Sequence, residues 1–194
     1  MKVKGLIFAL SVVVLVGGCA PNAQHVKLVP EVEVTERFTE QSPELSLRVI
    51  DRRAQKILGY RDPARGIILG VEGELADEVR KGLVSALERQ GIAVKEWDGE
   101  ADNRLSVGIM NFEYQRTGGF LRRQVVLETE WDVTASFEGT RVSSQARAKT
   151  QQSMLFVPGD SKNEQLVNTI LNRAINQVVN NDDLLEQLRQ QATD

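Results

Sequence analysis

The only thiol of the chain, on Cys19, follows two glycines and a short apolar segment. The apolar segment covers residues 5–16 and is preceded by Lys2 and Lys4. A positive start, a short apolar run and small residues before a cysteine are typical of a bacterial lipoprotein signal. The chemistry that this pattern predicts is removal of residues 1–18 and acylation of Cys19 at its sulfur and its new amino terminus, with palmitate among the acyl groups.

Two other interpretations of residues 1–18 are a membrane-spanning helix and an ordinary secretory signal. A spanning helix needs roughly 20 apolar residues, and the apolar run here has about a dozen. An ordinary signal would leave a free thiol in an oxidising compartment, where it invites unwanted disulfides. Three acyl chains anchor a protein far more firmly than one chain, which binds reversibly. We therefore expect lipid on Cys19 to hold the mature chain on a membrane.

The residue after the cysteine indicates which membrane. In the sorting of bacterial lipoproteins, an aspartate at this position retains the protein in the inner membrane. Ala20 stands there in this chain. We expect an outer-membrane location, with the domain facing the periplasm.

Length and charge restrict the functions open to the mature chain. The 194 residues divide into the signal (1–18), a lipidated tether with several prolines (19–43) and one periplasmic domain (44–194). The net charge of -3 becomes more negative without the signal's two lysines, which disfavours nucleic-acid binding. The single histidine, His25, lies in the tether, so neither a His/Cys metal cluster nor a His-based catalytic triad is expected. We expect no catalytic residue, metal or cofactor; the oligomeric state stays open.

A basic loop follows the predicted strand at 45–49 and is a candidate anion site. Positive charge on an acidic domain suits an anionic headgroup, a glycan phosphate or an acidic partner. An ordinary solvated loop is the other interpretation. The residues concerned are Arg52, Arg53, Lys56, Arg61 and Arg65.

A predicted hairpin tip combines apolar and basic side chains where a turn is normally polar. Aromatic and arginine residues are enriched at the centres of protein interfaces. We expect this tip to dock a protein partner or to contact the membrane surface, unless its phenylalanine folds back onto the core. The residues are Arg116, Phe120, Leu121, Arg122 and Arg123.

Three carboxylates recur with period two on one predicted strand, namely Glu128, Glu130 and Asp132. Carboxylates on one face can act as a general acid and base. The sequence shows no nucleophile or metal ligand beside them. A solvated sheet face is therefore the favoured interpretation.

The elements that position these residues follow from hydrophobic periodicity. Apolar residues recur at helical spacing over 72–90 and 161–179, and a short helix starts near 183. Alternation predicts a first strand at 45–49 and a central meander of strands at 104–115, 121–138 and 141–154. The sequence thus predicts an α+β fold: an antiparallel sheet with two main helices packed on one face and a short C-terminal helix. The second helix could alternatively form a dimer seam.

Laid out in this way, the chain resembles the YajG family of uncharacterised Gram-negative lipoproteins. The likeness rests on the signal ending at Cys19, the strand and loop at 45–53, the helix ending at Gly91, the meander, and the terminal helix with its 183–188 extension. It implies an envelope lipoprotein and supplies no catalytic or ligand residues. We expect a non-catalytic interaction module with a periplasmic protein partner. The alternative is a lipid- or ligand-binding accessory lipoprotein of an envelope transport system.

Overall fold

The computed structural model of the protein describes residues 23–34, 38, 43–118 and 123–193. Cys19 and three of the predicted tip residues, Phe120, Leu121 and Arg122, lie outside these ranges. The strands are β1 (Gln24–Val26), β2 (Glu44–Asp51), β3 (Gly59–Asp62), β4 (Ile67–Val71), β5 (Ala93–Lys95), β6 (Asn103–Gly118), β7 (Arg123–Phe137) and β8 (Thr140–Met154). The helices are α1 (Leu75–Arg89), α2 (Asp160–Val179) and α3 (Asp182–Thr193), with a 3₁₀ turn at Pro63–Arg65.

All eight strands join one sheet that branches at β6. One edge of β6 pairs with β7 along its whole length, and β7 pairs in turn with β8. The other edge is shared by β2, which carries β5, and β3, which carries β4 and β1. The sheet is therefore forked on one side of β6.

The predicted antiparallel sheet is wrong, because the sheet is mixed. The central meander β6–β7–β8 is antiparallel, but β2 runs parallel to both β5 and β6. Strand β1 runs parallel to β4, and β3 runs parallel to β6. Parallel neighbours need a long crossover connection. Helix α1 lies in the connection between β2 and its parallel neighbour β5.

The two long helices and one face of the sheet share a single hydrophobic core. Helix α1 contacts β2 and β5, α2 contacts β7 and β8, and the two helices contact each other. Their approach is close at Gly82, where an added Cβ would lie 2.8 Å from Cδ1 of Ile175. Helix α1 ends at Arg89, and Gly91 follows the cap residue Gln90 with a φ of 88°, which suits glycine.

Residues 24–34, which lie in the predicted tether, pack against the folded domain. Strand β1 extends the sheet beside β4, and Leu28 and Val32 are buried in the core. Side chains of α2 hold the backbone that follows: Asn168 accepts a hydrogen bond from the N–H of Val29 at 2.7 Å. The described residues 24–34 thus lie against the sheet and α2.

Candidate functional site

The fork in the sheet lies along β6, between the last residue that pairs with β2 and the first residue that pairs with β3. The last pair between β2 and β6 joins Asp51 to Ile109. Strand β3 meets β6 at one pair only, Gly59 with Tyr114. That pairing requires glycine, because a Cβ on Gly59 would lie 2.1 Å from the Tyr114 carbonyl oxygen.

A β-bulge in β6 lies at the mouth of the fork. Ile109 pairs with Trp131 and Asn111 with Glu130, so Met110 is the extra residue. One extra residue reverses the alternation of side chains. The buried side chains on β6 are accordingly Leu105, Val107 and Ile109 before the bulge, and Phe112 and Tyr114 after it.

Beside the fork, between the segment that follows β2 and the second half of β6, lies a solvent-open cleft of about 540 Å³. Its walls are the 53–60 segment, Pro63 and residues 110–117 of β6. Two large side chains are exposed there, Tyr60 at 44% and Met110 at 41%. The cleft thus offers an aromatic and a thioether side chain beside a strand edge, a combination suited to binding a polypeptide.

Arg53 of the predicted anion loop is buried beneath this cleft. Its guanidinium binds both carboxylate oxygens of Asp51, each at 3.0 Å, and donates to the carbonyl of Lys56 at 3.1 Å. Burial raises the pKa of Asp51, but hydrogen bonds from Arg53, its positive charge and Lys56 outweigh this and hold the pKa below its usual range. The pair stabilises the turn from which the fork opens.

Most of the other cations of the loop also contact carboxylates. Lys56 lies 3.2 Å from Asp51, and Arg65 lies 3.9 Å from Asp62. Arg61 forms an ion pair of 2.6 Å with Asp160 at the start of α2. The side chain of Arg52 is exposed and lies over Gly108. The structure thus surrounds the predicted anion loop with its own counter-charges.

The two described residues of the hairpin tip lie in different surroundings. Arg116 lines the cleft and binds Asp62 at 3.1 Å, with its side chain 14% exposed. Arg123 begins β7 opposite Met154. The structure therefore brings Arg53 and Arg116, one residue from each predicted cluster, to the same cleft.

A buried polar network joins the cleft wall to α2 and β1. The Tyr114 hydroxyl donates to Oδ1 of Asn163 at 3.0 Å, and Nδ2 of Asn163 donates to Oε1 of Gln24 at 2.9 Å. Nε2 of Gln24 then donates to the backbone carbonyl of Asp160 at 2.8 Å. Burial raises the pKa of Tyr114, against the lowering effect of the Arg116 and Arg61 charges.

The carboxylates of β7 are engaged across the sheet. Glu128 pairs with Lys149 at 2.7 Å and Glu130 with Arg147 at 2.7 Å, while Asp132 accepts from Gln145 at 3.1 Å. Within the described ranges, no group of three or more His, Cys, Asp or Glu side chains is placed to hold a metal. These contacts support the solvated-face interpretation.

A second basic surface was not predicted from the sequence. Arg48, Arg104 and Arg141 line a shallow depression together with Trp97. The Arg48 guanidinium lies 4.0 Å from the centre of the Trp97 ring. Guanidinium groups lining one depression attract anions, so this surface suits a small anion better than the predicted loop does.

The sequence matches the family model Lipoprotein_16, described as uncharacterised lipoprotein, over residues 30–189. The chain belongs to this lipoprotein family. This match confirms the YajG-type resemblance. Comparison with curated protein sequences gave no match.

The solved structures that match this chain include two bacterial lipoproteins. A Xanthomonas campestris protein of the DUF330 family model is 15% identical, with 88% of this chain and 99% of that chain covered at a TM-score of 0.58. A minor lipoprotein from Acinetobacter baumannii is 13% identical, with coverage of 80% and 94% and a TM-score of 0.37. A lipoprotein from Neisseria meningitidis is 11% identical, with coverage of 72% and 99% and a TM-score of 0.35. The first likeness shows a shared fold.

Sequence reasoning missed the exposed side chains of this lipoprotein's cleft. A signal was present at Met110, since the apolar alternation through Ile109 resumes at Phe112 with its phase reversed. Tyr60 carried no comparable signal, because its exposure depends on how β3 diverges from β6. None of the helices in the described part of the chain combines the length and apolar character needed to cross a bilayer.

Proposed function

We propose that the protein is an outer-membrane lipoprotein, anchored through Cys19 on the periplasmic side, that binds a periplasmic protein without catalysis. The single observation that carries the binding proposal is the cleft at the fork, with Tyr60 and Met110 exposed on its walls. Its occupant is a polypeptide segment with an apolar side chain. That side chain contacts the two exposed residues while the segment's backbone lies along β6.

The packing between helices and sheet favours a protein partner over a lipid ligand. A lipid-binding accessory protein needs a deep apolar cavity. Here the facing side chains of that layer are in contact in one continuous cluster, with Leu83, Val107 and Ile170 all at 0% exposure. The open cleft at the fork has the charged side chains of Arg53 and Arg116 on its walls, and a hydrocarbon chain would remove solvent from these charges without offering them a polar contact.

Acylation of Cys19 is tested separately from partner binding. The mature protein purified from cell membranes should carry the mass of a diacylglycerol and an acyl chain on its first residue, Cys19. The signal residues should be absent. An unmodified thiol on the native protein would refute the anchor.

Photocrosslinking in cells tests the cleft. A photoreactive residue at Met110 should yield a discrete adduct with a protein, and Tyr60→Asp in the same chain should abolish it. The matched control places the photoreactive residue at Glu88, which is exposed on α1 and does not line the cleft. A labelled lipid at Met110 would support the accessory class instead, and an adduct unaffected by Tyr60→Asp would refute the cleft as the binding site.

A further inference from the structure

Three consecutive apolar residues between β8 and α2 are exposed. The fractional exposure is 72% for Leu155, 79% for Phe156 and 40% for Val157. Contiguous apolar surface of this kind marks sites that contact proteins or membranes. The proposed cleft does not include these residues, so their exposure needs a separate explanation.

The protein holds this apolar loop in place from both sides. Met154, the last residue of β8, is packed against the core, and Pro158 is buried. The loop can therefore neither fold inward nor move far from the end of the sheet where β8 stops and α2 begins.

The start of β1 lies at this same end of the molecule. Gln24 donates to the backbone carbonyl of Asp160 at 2.8 Å, and Asp160 follows Val157 by three residues. Cys19 precedes Gln24 by five residues, a length that spans at most about 18 Å. A lipid on Cys19 therefore keeps the bilayer surface within reach of the apolar loop.

Charge around the loop agrees with a membrane surface. Arg123 pairs with Met154 across the sheet, and Lys162 lies in the first turn of α2. The carboxylate of Asp160, which would oppose an anionic leaflet, is engaged by Arg61 at 2.6 Å. Apolar side chains flanked by basic ones are typical of interfacial contacts with anionic lipid.

We infer that the loop Leu155–Phe156–Val157 inserts into the leaflet that carries the protein's own lipid anchor. This inference rests on the proposed anchoring through Cys19. It orients the domain: the end with β1 and the start of α2 faces the bilayer, while the β7–β8 turn at Glu138 and Gly139 points into the periplasm. The loop thus gives the domain a fixed orientation, because it adds a second point of contact with the bilayer to the lipid on Cys19.

A fluorescent label at residue 155 tests this contact. Cys19 is the only cysteine and its sulfur is acylated in the proposed form, so Leu155→Cys supplies a unique site for a nitrobenzoxadiazole label. The acylated mature protein is reconstituted in vesicles of phosphatidylethanolamine and phosphatidylglycerol. We expect a blue-shifted emission and quenching by doxyl-labelled lipid. The same label on Glu100→Cys, at the exposed turn before β6, should show neither effect.

A second substitution makes the test specific. Phe156→Asp in the labelled protein should abolish lipid quenching and leave thermal unfolding unchanged, while Gln151→Asp, exposed on β8, should leave quenching intact. A label at 155 that stays as accessible to aqueous iodide as the label at 100 would overturn the inference. So would protection that depends on protein concentration without lipid quenching, since a second copy would then cover the loop. The mass of the protein shows independently whether Cys19 is acylated. A protein without the lipid would overturn the proposed anchor and not the contact of the loop.

Discussion

The side chain of Gln177 on α2 hydrogen-bonds both backbone groups of Arg147 on β8. Its Oε1 accepts from the Arg147 N–H at 2.7 Å and its Nε2 donates to the Arg147 carbonyl at 2.8 Å. Among the described strands, β8 pairs with β7 alone, so its other edge is open to a further strand. Unpaired edges invite strand addition between molecules, and Gln177 blocks this edge near its middle.

We expect Gln177→Ala to promote self-association. The loss of two hydrogen bonds at an exposed edge should lower the free energy of unfolding by about 1 kcal/mol. Sedimentation velocity over a range of protein concentrations measures the association. Arg173→Ala, at an exposed position one turn earlier on α2, is the matched control. Equal sedimentation of both variants would show that Gln177 does not protect the edge.

The second prediction concerns the ion pair between Asp51 and Arg53, whose side chains are 11% and 4% exposed. Asp51→Asn leaves a buried guanidinium without its counter-charge and should lower the free energy of unfolding by about 3 kcal/mol. Glu44→Gln, which breaks an exposed pair with Lys95, should cost less than about 1 kcal/mol. Urea denaturation at pH 7 measures both. A similar small loss in the two variants would contradict an internal role for Arg53.

The same pair predicts a dependence of stability on acid. The pKa of Asp51 is lower in the folded protein than its ordinary value of 3.8. Its ionisation therefore contributes stability that is complete above pH 3.8, and is lost as the pH falls through the folded-state pKa. Urea midpoints measured between pH 5 and pH 2 should fall less steeply for Asp51→Asn than for the natural protein. Parallel curves would refute the linkage.

The polar network at Asn163 supplies the next prediction. Asn163→Leu leaves the Tyr114 hydroxyl and the side-chain oxygen Oε1 of Gln24 without their Asn163 partner. This should lower the free energy of unfolding by about 2 kcal/mol or more. Adding Tyr114→Phe removes one of these unpaired groups, so the double variant should recover part of the loss. Thermal or urea unfolding of the single and double variants measures the coupling. Strict additivity would mean that the two side chains do not interact.

Alkaline pH tests the same tyrosine. Burial raises the pKa of Tyr114 above its ordinary value of 10.0. The stability linked to its neutral form is therefore complete below pH 10.0 and is lost as the pH rises through the folded-state pKa. Tyr114→Phe should remove this component, so its stability should decline less between pH 9 and pH 11. An equal decline of stability in the variant and the natural protein would show that another group causes the alkaline loss.

The bulge at Met110 allows a test of register. Deletion of Met110 removes the bulge but leaves Phe112 and Tyr114 on the core face, because Ile109 opposite Trp131, Asn111 opposite Glu130 and Phe112 opposite Thr129 then follow one another in regular alternation. We therefore expect the deletion variant to fold with its register unchanged. Met110→Gln keeps the bulge at an exposed position and should change the free energy of unfolding by less than about 0.5 kcal/mol. Circular dichroism and heat denaturation measure both variants. A deletion variant that does not fold would contradict this register.

Some features of the fold are readable from local sequence alone. The inward residues of β7, such as Val125, Leu127 and Trp131, are buried as their alternation predicts. The two-residue turn at Glu138 and Gly139, both with positive φ, joins β7 and β8 as neighbours. Short turns leave antiparallel pairing as the only outcome, so this half of the sheet was predictable.

Other features depend on parts of the chain that are distant in sequence. Alternation in β2 indicates which side chains are buried but carries no information on strand direction. Its parallel pairing with β6, through Arg48 opposite Ser106 for example, joins residues separated by more than fifty positions. Likewise, the basic residue Arg116 looked free in the sequence, because its carboxylate partner Asp62 is 54 positions away and becomes a neighbour only in the folded chain.

The sequence by itself determined the lipoprotein family, the helices and the hairpins, since these depend on the local spacing of apolar, small and turn residues. Tertiary structure alone decided the direction of the strands around β2, the fork that opens the cleft, and the distant counter-charges of Arg61 and Arg116. The physical reason is that local patterns specify burial and turns. Pairing across a sheet and between charges is set by which distant segments the shared core brings into contact.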